Sequence, residues 1–239
     1  MLPIQIVAWY TYGMIIIGHR GARGLAPENS LASFDKAIEL HADFVEFDVR
    51  VTRDQNLVII HDRHTKRIAF IKQHIHKMTL AEVKALATRD GIAIPTLEEV
   101  LLHIRGRTKL NIEIKSIGTA QLLLDALEPF FKKKKYALDD IIISSSRLSE
   151  LRAVQHENSR LRVALLQRRF PWRFLFVTSV GLYGIGTRHT LLTPQIIRKA
   201  KSLGLFTYAY TVNKPAQARK LRTWGLDGIC TDRPDLIQP

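Results

Sequence analysis

The stretch Phe44-Val45-Glu46-Phe47-Asp48-Val49-Arg50-Val51-Thr52-Arg53-Asp54-Gln55-Asn56-Leu57-Val58-Ile59-Ile60-His61-Asp62 decides the fold. Residues 44–49 and 57–60 are apolar runs of β type. Only residues 50–56 separate them, and a parallel crossover needs about a dozen residues or more, so the link is a hairpin. Its turn is expected at residues 53–56, which puts position 48 opposite position 61 and makes Asp48 and His61 cross-strand neighbours. Within the first strand Glu46 and Asp48 share one face, while Val45, Phe47 and Val49 take the other. Carboxylates on an inward face are costly unless they serve a functional cavity.

Outside this hairpin, β-type runs recur at residues 15–18, 110–114, 141–144, 162–166, 182–185, 206–210 and 228–230. Helix-period segments lie between most of them, at residues 30–40, 79–86, 96–103, 119–130, 146–157, 193–203 and 215–224. In the first, Leu31, Phe34, Ala37 and Ile38 share a face, with Asn29 or Ser30 as N-cap. Alternating strands and helices imply a parallel sheet covered by helices. About eight repeats within 239 residues is the size of a barrel. The expected fold is α/β, a distorted TIM (β/α)8 barrel with an extra hairpin. No linker-like stretch divides the chain, so residues 14–239 read as a single barrel domain. Met14 directly precedes the first strand, and residues 1–13 read as an N-terminal extension.

The 46% hydrophobic content supplies a substantial core, and the net charge of +14 favours anionic partners: phosphates, nucleic acid or acidic lipid headgroups. No zinc-type Cys/His spacing or other nucleic-acid motif accompanies that charge, so nucleic acid is not the expected partner. The lone cysteine, Cys230, rules out an internal disulfide. Residues 1–18 carry no charged side chain but lack a basic n-region, so a cytoplasmic location is expected.

Four short pieces carry the chemistry: Gly18-His19-Arg20-Gly21, Glu46-Phe47-Asp48, His61-Asp62 and Glu113-Ile114-Lys115. Paired inward carboxylates at strand ends suit a hard cation, Mg²⁺ or Ca²⁺, and Glu113 supplies a third metal ligand. Lys115 suits a phosphate oxygen, and Arg20 offers a phosphate a fork of donors. His19 and His61 each follow an apolar strand and titrate near neutrality, as an acid–base pair requires.

These pieces resemble the glycerophosphodiester phosphodiesterase family. The resemblance runs through Ile17-Gly18-His19-Arg20-Gly21, Pro27-Glu28-Asn29-Ser30, Glu46-Phe47-Asp48-Val49, His61-Asp62, Ile94-Pro95-Thr96-Leu97-Glu98-Glu99, Glu113-Ile114-Lys115, Thr211-Val212-Asn213 and Thr231-Asp232-Arg233-Pro234, in order. It implies a distorted TIM barrel and metal-dependent hydrolysis of a glycerophosphodiester to glycerol 3-phosphate and an alcohol, a step of phospholipid and glycerol metabolism. It also implies one divalent metal ion on Glu46, Asp48 and Glu113, acid–base work by His19 and His61, and phosphate contacts from Arg20 and Lys115. Asp62 is a candidate to orient a histidine. The attacking group is water, or the substrate's own glycerol hydroxyl through a cyclic phosphate.

Two departures bear on the substrate. Tyr210 stands where the family commonly has Trp, so it lines a pocket with altered size and polarity. The insertion after His61-Asp62 is short and basic, with no evident lid. The segment from Phe170 to Phe176 mixes aromatic side chains with cations in a loop position, which suits peripheral membrane contact. That segment supports the alternative, a lysophospholipase D acting on single-tailed lipids.

Overall fold

A computed structural model of the chain describes residues 13–177 and 180–237. The extension expected at residues 1–13 lies, but for Gly13, outside the described residues. Nine strands form one sheet in the order β1 (Ile15–His19), β9 (Gly228–Thr231), β8 (Phe206–Tyr210), β7 (Gly184–Arg188), β6 (Arg162–Gln167), β5 (Ile141–Ser145), β4 (Lys109–Ile114), β2 (Phe44–Val51) and β3 (Leu57–Ile59). A parallel pairing of β1 with β2 closes eight of these strands into a barrel, and β3 is the extra strand. It takes the edge of β2 that β1 leaves free: β1 pairs with residues 44–46, whereas β3 runs antiparallel to residues 49–51.

The hairpin register differs from the expected one by a single residue. Val49 faces Ile59, and the Ile60 amide donates to the Asp48 carbonyl, so position 48 lies opposite position 60. The turn is the reason. Thr52 and Asn56 pair through Thr52 N to Asn56 O, leaving a three-residue loop that closes on Gln55 at φ 61°. His61 follows the paired segment and reaches the site from the strand's end.

Period-two patterning sorts the strand side chains. Val45, Phe47 and Val49 of β2, with Ile112 and Ile114 of β4, pack outward against Phe34 of α1 (Leu31–Glu39), Leu97 and Leu101 of α3 (Leu97–Ile104) and Leu123 of α4 (Ala120–Lys132). The barrel interior holds a second cluster, Ile17, Phe44, Ile142, Ala164, Leu166, Phe206, Tyr208 and Cys230. Along β2 the inward positions therefore run Phe44, Glu46, Asp48, from apolar floor to acidic mouth. Ser30 is the N-cap of α1, completing a reciprocal box with Ser33 and leaving Asn29 free for the site. Thr96 and Glu99 cap α3 in the same way.

Two segments matter for the mouth. Residues 60–94, which include residues 63–76 where the sequence suggests no lid, fold over a small satellite core of Val58, Ile60, Ile75, Met78, Val83 and Ile94. It includes the short α2 (Leu80–Lys84). Among the described residues between β6 and β7 there is no α-helix; a loop with a 3₁₀ turn, Arg173–Phe176, stands in its place. The remaining helices, α5 (Leu148–Glu157), α6 (Pro194–Ser202) and α7 (Pro215–Thr223), complete the outer layer. Among the described residues no helix is long and apolar enough to cross a membrane.

Candidate active site

Parallel register places Asp48 of β2 beside Glu113 of β4, one step above Glu46. Oxygens of Glu46, Asp48 and Glu113 lie within 4.8 Å of one another. Two cations stand among them. Lys115 Nζ is 3.0 Å from Asp48 Oδ1 and 2.6 Å from Glu113 Oε1, and Arg20 Nε is 3.3 Å from Asp48 Oδ2. Asn29 Nδ2 donates to Asp48 Oδ2 at 3.0 Å, and the Arg20 amide donates to Glu46 Oε2 at 2.8 Å.

The three carboxylates do not share the cations equally. Burial alone would raise Asp48, but the charges of Lys115 and Arg20 outweigh it and hold Asp48 well below the usual range. Burial, together with the charges of Asp48 and Glu113, pushes Glu46 well above its usual value. Burial also raises Glu113, against the pull of Lys115. The cluster is short of positive charge, and Asp48 Oδ1 accepts no hydrogen bond even though Lys115 Nζ is near. This donor set, all hard oxygens at the end of barrel strands, fits a divalent cation. A second group, His19, Glu46 and Cys230, is equally close together. Burial pushes the Cys230 thiol up, which keeps it protonated and makes it a poor ligand.

The two histidines flank the cluster, each backed by its own carboxylate. His19 Nδ1 lies 2.6 Å from Asp232 Oδ1, and His61 Nδ1 lies 2.7 Å from Asp62 Oδ1. Both rings thus use Nδ1 for support, which leaves Nε2 for a reacting group. Asp232 is fixed in turn: Asn213 Nδ2 donates to its Oδ2 at 2.8 Å, Asn213 Oδ1 accepts its amide at 2.8 Å, and Arg23 Nε sits 2.7 Å from its Oδ1. Although burial opposes it, the hydrogen bond and charge of His19 bring Asp232 down to about 2. Asp62 accepts from Arg67 Nε at 2.7 Å, and Arg67 grips Glu28 with Nη1 and Nη2 at 2.8 and 2.6 Å. Glu28 also accepts from Arg20 Nη1 at 2.9 Å, so one chain of charges links Arg20 to His61. Burial lowers both histidines, His61 to about 4, in the metal-free protein.

Local backbone explains how the His19 loop fits. Gly21, at φ +79°, rests on α1; a Cβ there would come within 2.4 Å of Ser33 Oγ. Ser33 Oγ donates to the Arg20 carbonyl at 2.8 Å, and Arg20 itself adopts φ 51°. Side chain and helix N-terminus together hold an otherwise unfavourable turn. Tyr210, at the end of β8, donates its hydroxyl to the Gln167 carbonyl at 3.1 Å and lies within the field of Glu113.

Every residue expected at the site from sequence is therefore brought to one mouth. Asp232, Asn213, Glu28, Asn29 and Arg67 join them. Asp232 follows β9 immediately, the same strand-end position that singles out His19, so a signal for it was present. Arg67 lies in the insertion, and nothing in its spacing points to Glu28.

The class is thus an eight-stranded parallel barrel whose mouth sets two carboxylate-backed histidines either side of a buried cluster of three carboxylates and two cationic side chains. Residues 19–236 match the glycerophosphoryl diester phosphodiesterase family, and the chain belongs to it. A glycerophosphodiester phosphodiesterase of Caldanaerobacter subterraneus subsp. tengcongensis is 31% identical over 240 residues, covering 93% of this chain and 96% of that protein. One from Bacillus subtilis is 29% identical over 256 residues, covering 94% and 85%. Among solved structures, an Oleispira antarctica phosphodiesterase in complex with the product sn-glycerol-3-phosphate superposes with a TM-score of 0.81 at 28% identity, covering 92% and 93%. A glycerophosphodiester phosphodiesterase from Thermotoga maritima gives 0.78 at 29%, covering 95% and 98%.

Proposed function

We infer that this chain hydrolyses glycerophosphodiesters to glycerol 3-phosphate and an alcohol. The observation that carries the reading is the pairing of two carboxylate-backed histidines across a buried cluster of three carboxylates and two cations. Glu46, Asp48 and Glu113 would hold a divalent cation, Mg²⁺ or Ca²⁺, which would supply Lewis-acid stabilisation of charge on a phosphoryl oxygen.

The chain's own groups do the rest. Arg20 and Lys115 reach the phosphate from the rim of the cluster. One histidine Nε2 takes a proton from the attacking oxygen as the new P–O bond forms. The other gives a proton to the alkoxide as the old P–O bond breaks. Asp232 and Asp62 keep the supporting proton on Nδ1 of each ring and stabilise the imidazolium form. Tyr210, held by its hydrogen bond to the Gln167 carbonyl and within the field of Glu113, is the side chain proposed to line the substrate pocket. Glycerol 3-phosphate is the product in the Oleispira antarctica structure, and the glycerophosphate half of the diester substrate is the part this site would grip.

Purified wild type, His19→Ala and His61→Ala, incubated with glycerophosphocholine and a divalent cation, test the reading. Each substitution should lower turnover by about 10²–10⁴-fold. Near-normal turnover in both variants would reject the assignment of the two rings.

A further inference from the structure

The exposed apolar surface is unevenly placed. Of the ten large apolar side chains exposed among the described residues, seven lie on the β1–α1, β4–α4 and β6–β7 connections and in the insertion at residues 60–94. Three are on the β6–β7 loop: Phe170, Leu175 and Phe176, the last 73% exposed. The others are Leu25 after β1, Phe70 and Ile71 in the insertion, and Ile117 after β4. Single exposed apolar residues are ordinary; a gathering at one end of a barrel marks an interaction surface.

The β6–β7 loop is built to present its tips. Phe174 is buried, and Trp172 stacks on it at 6.3 Å, while the Phe174 amide donates to Gln167 Oε1 at 3.3 Å. Arg173 Nη1 donates to the Ser146 carbonyl at 3.0 Å. On this anchored root, Phe170 and Phe176 stack on each other at 6.1 Å in solvent. Arg168 acts on both Glu113 and Tyr210, which places the loop's root at the active site. Cations accompany the apolar tips: Arg168 and Arg169 are exposed beside Phe170, and Arg89 lies 4.9 Å over the Phe70 ring.

We propose that the mouth of the barrel docks on an anionic lipid bilayer, with Phe170, Leu175 and Phe176 entering the interface. The arginines around them meet lipid phosphates. Apolar tips among arginines, on a chain of net charge +14, complement an acidic headgroup layer over an apolar interior. Leu175, Leu25, Ile71 and Ile117 are aliphatic and offer no stacking face, so single-stranded nucleic acid is the poorer match. Docking sets the glycerophosphodiester site against the surface; it extends the activity inferred above without being needed for it.

The test is cosedimentation of the full chain with vesicles of phosphatidylglycerol and phosphatidylcholine, or of phosphatidylcholine alone. Wild type should pellet with the anionic vesicles at low salt, bind the neutral ones at least about tenfold more weakly, and be released by high salt. The double variant Phe170→Ser/Phe176→Ser should bind anionic vesicles about tenfold or more weakly than wild type, with glycerophosphocholine hydrolysis unchanged. Hydrogen exchange on the wild type needs no variant: anionic vesicles should protect residues 168–177. Absent vesicle binding, equal binding by the double variant, unprotected residues 168–177, or tighter binding of single-stranded RNA than of vesicles would each overturn the proposal. Hydrolysis of soluble glycerophosphocholine without vesicles reports the reaction separately, so the two readings fail independently.

Discussion

Replacing Glu46 by Gln should make the metal-free protein more stable and remove most of its response to metal. The oxygens of Glu46, Asp48 and Glu113 lie within 4.8 Å of one another. At an effective dielectric of about 20, a like-charge pair at that distance costs about 3.5 kcal/mol, and Arg20 and Lys115 return part of it. The chain's relief is to protonate Glu46, which burial and the neighbouring carboxylates favour. Holding that proton above the unfolded value of 4.5 costs stability, and the cost grows as pH rises. A neutral amide removes this cost and still accepts from the Arg20 amide, so the gain is about 1–3 kcal/mol. For a chain this long, Tm should rise by roughly 3–10 °C. The sign with pH follows from the raised folded value. Glu46's contribution is fully present below 4.5 and is lost as pH rises, so the variant's advantage should widen from acid to neutral pH. A cation in a hundredfold excess over its Kd stabilises the wild type by about 2.7 kcal/mol, and the variant should lose most of that. Thermal melts in chelator and in Mg²⁺ or Ca²⁺ check both halves. A variant that melts below wild type in chelator, or gains as much from metal, would refute the reasoning.

Three further outcomes follow from the same geometry. Asp232→Asn removes a charge-assisted hydrogen bond of about 1.5–3 kcal/mol, so kcat should fall about 10–150-fold with KM little changed; steady-state kinetics with glycerophosphocholine would expose an unchanged kcat. In metal-free protein, His61 favours its neutral form, so its contribution is fully present above 6.5 and is lost as pH falls through about 4. Urea midpoints across that window should drop for wild type and much less for His61→Gln, and parallel curves would contradict this. On the proposed assignment Arg20 and Lys115 grip phosphate, the part common to all these substrates, so kcat/KM for glycerophosphocholine, glycerophosphoethanolamine and glycerophosphoglycerol should agree within roughly 10–200-fold; a competition assay showing a preference beyond about 10⁴ would require buried polar contacts to the alcohol.

The period-two pattern of residues 44–49 is enough to separate Glu46 and Asp48 from Val45, Phe47 and Val49, because a strand has only two faces. The same logic reads Glu113 between Ile112 and Ile114. What period alone does not give is register. One residue fewer in the hairpin loop moves position 48 from opposite 61 to opposite 60, and a left-handed Gln55 that closes a three-residue loop leaves no clear mark in sequence. Supporting partners are harder still. His19 and Asp232 are 213 positions apart, and only barrel closure brings β1 beside β9. Arg67 becomes legible only once residues 60–94 pack as a satellite, since its partner Glu28 lies 39 positions away.

The most direct measurement of the central claim is product identification after incubating the purified chain with glycerophosphocholine, with added Mg²⁺ or Ca²⁺ and with exhaustive chelation. Glycerol 3-phosphate and choline should appear in equal amounts with a divalent cation and stop appearing with chelator. Full hydrolysis after chelation would contradict the metal site on Glu46, Asp48 and Glu113, and release of phosphocholine in place of glycerol 3-phosphate would contradict the reaction itself.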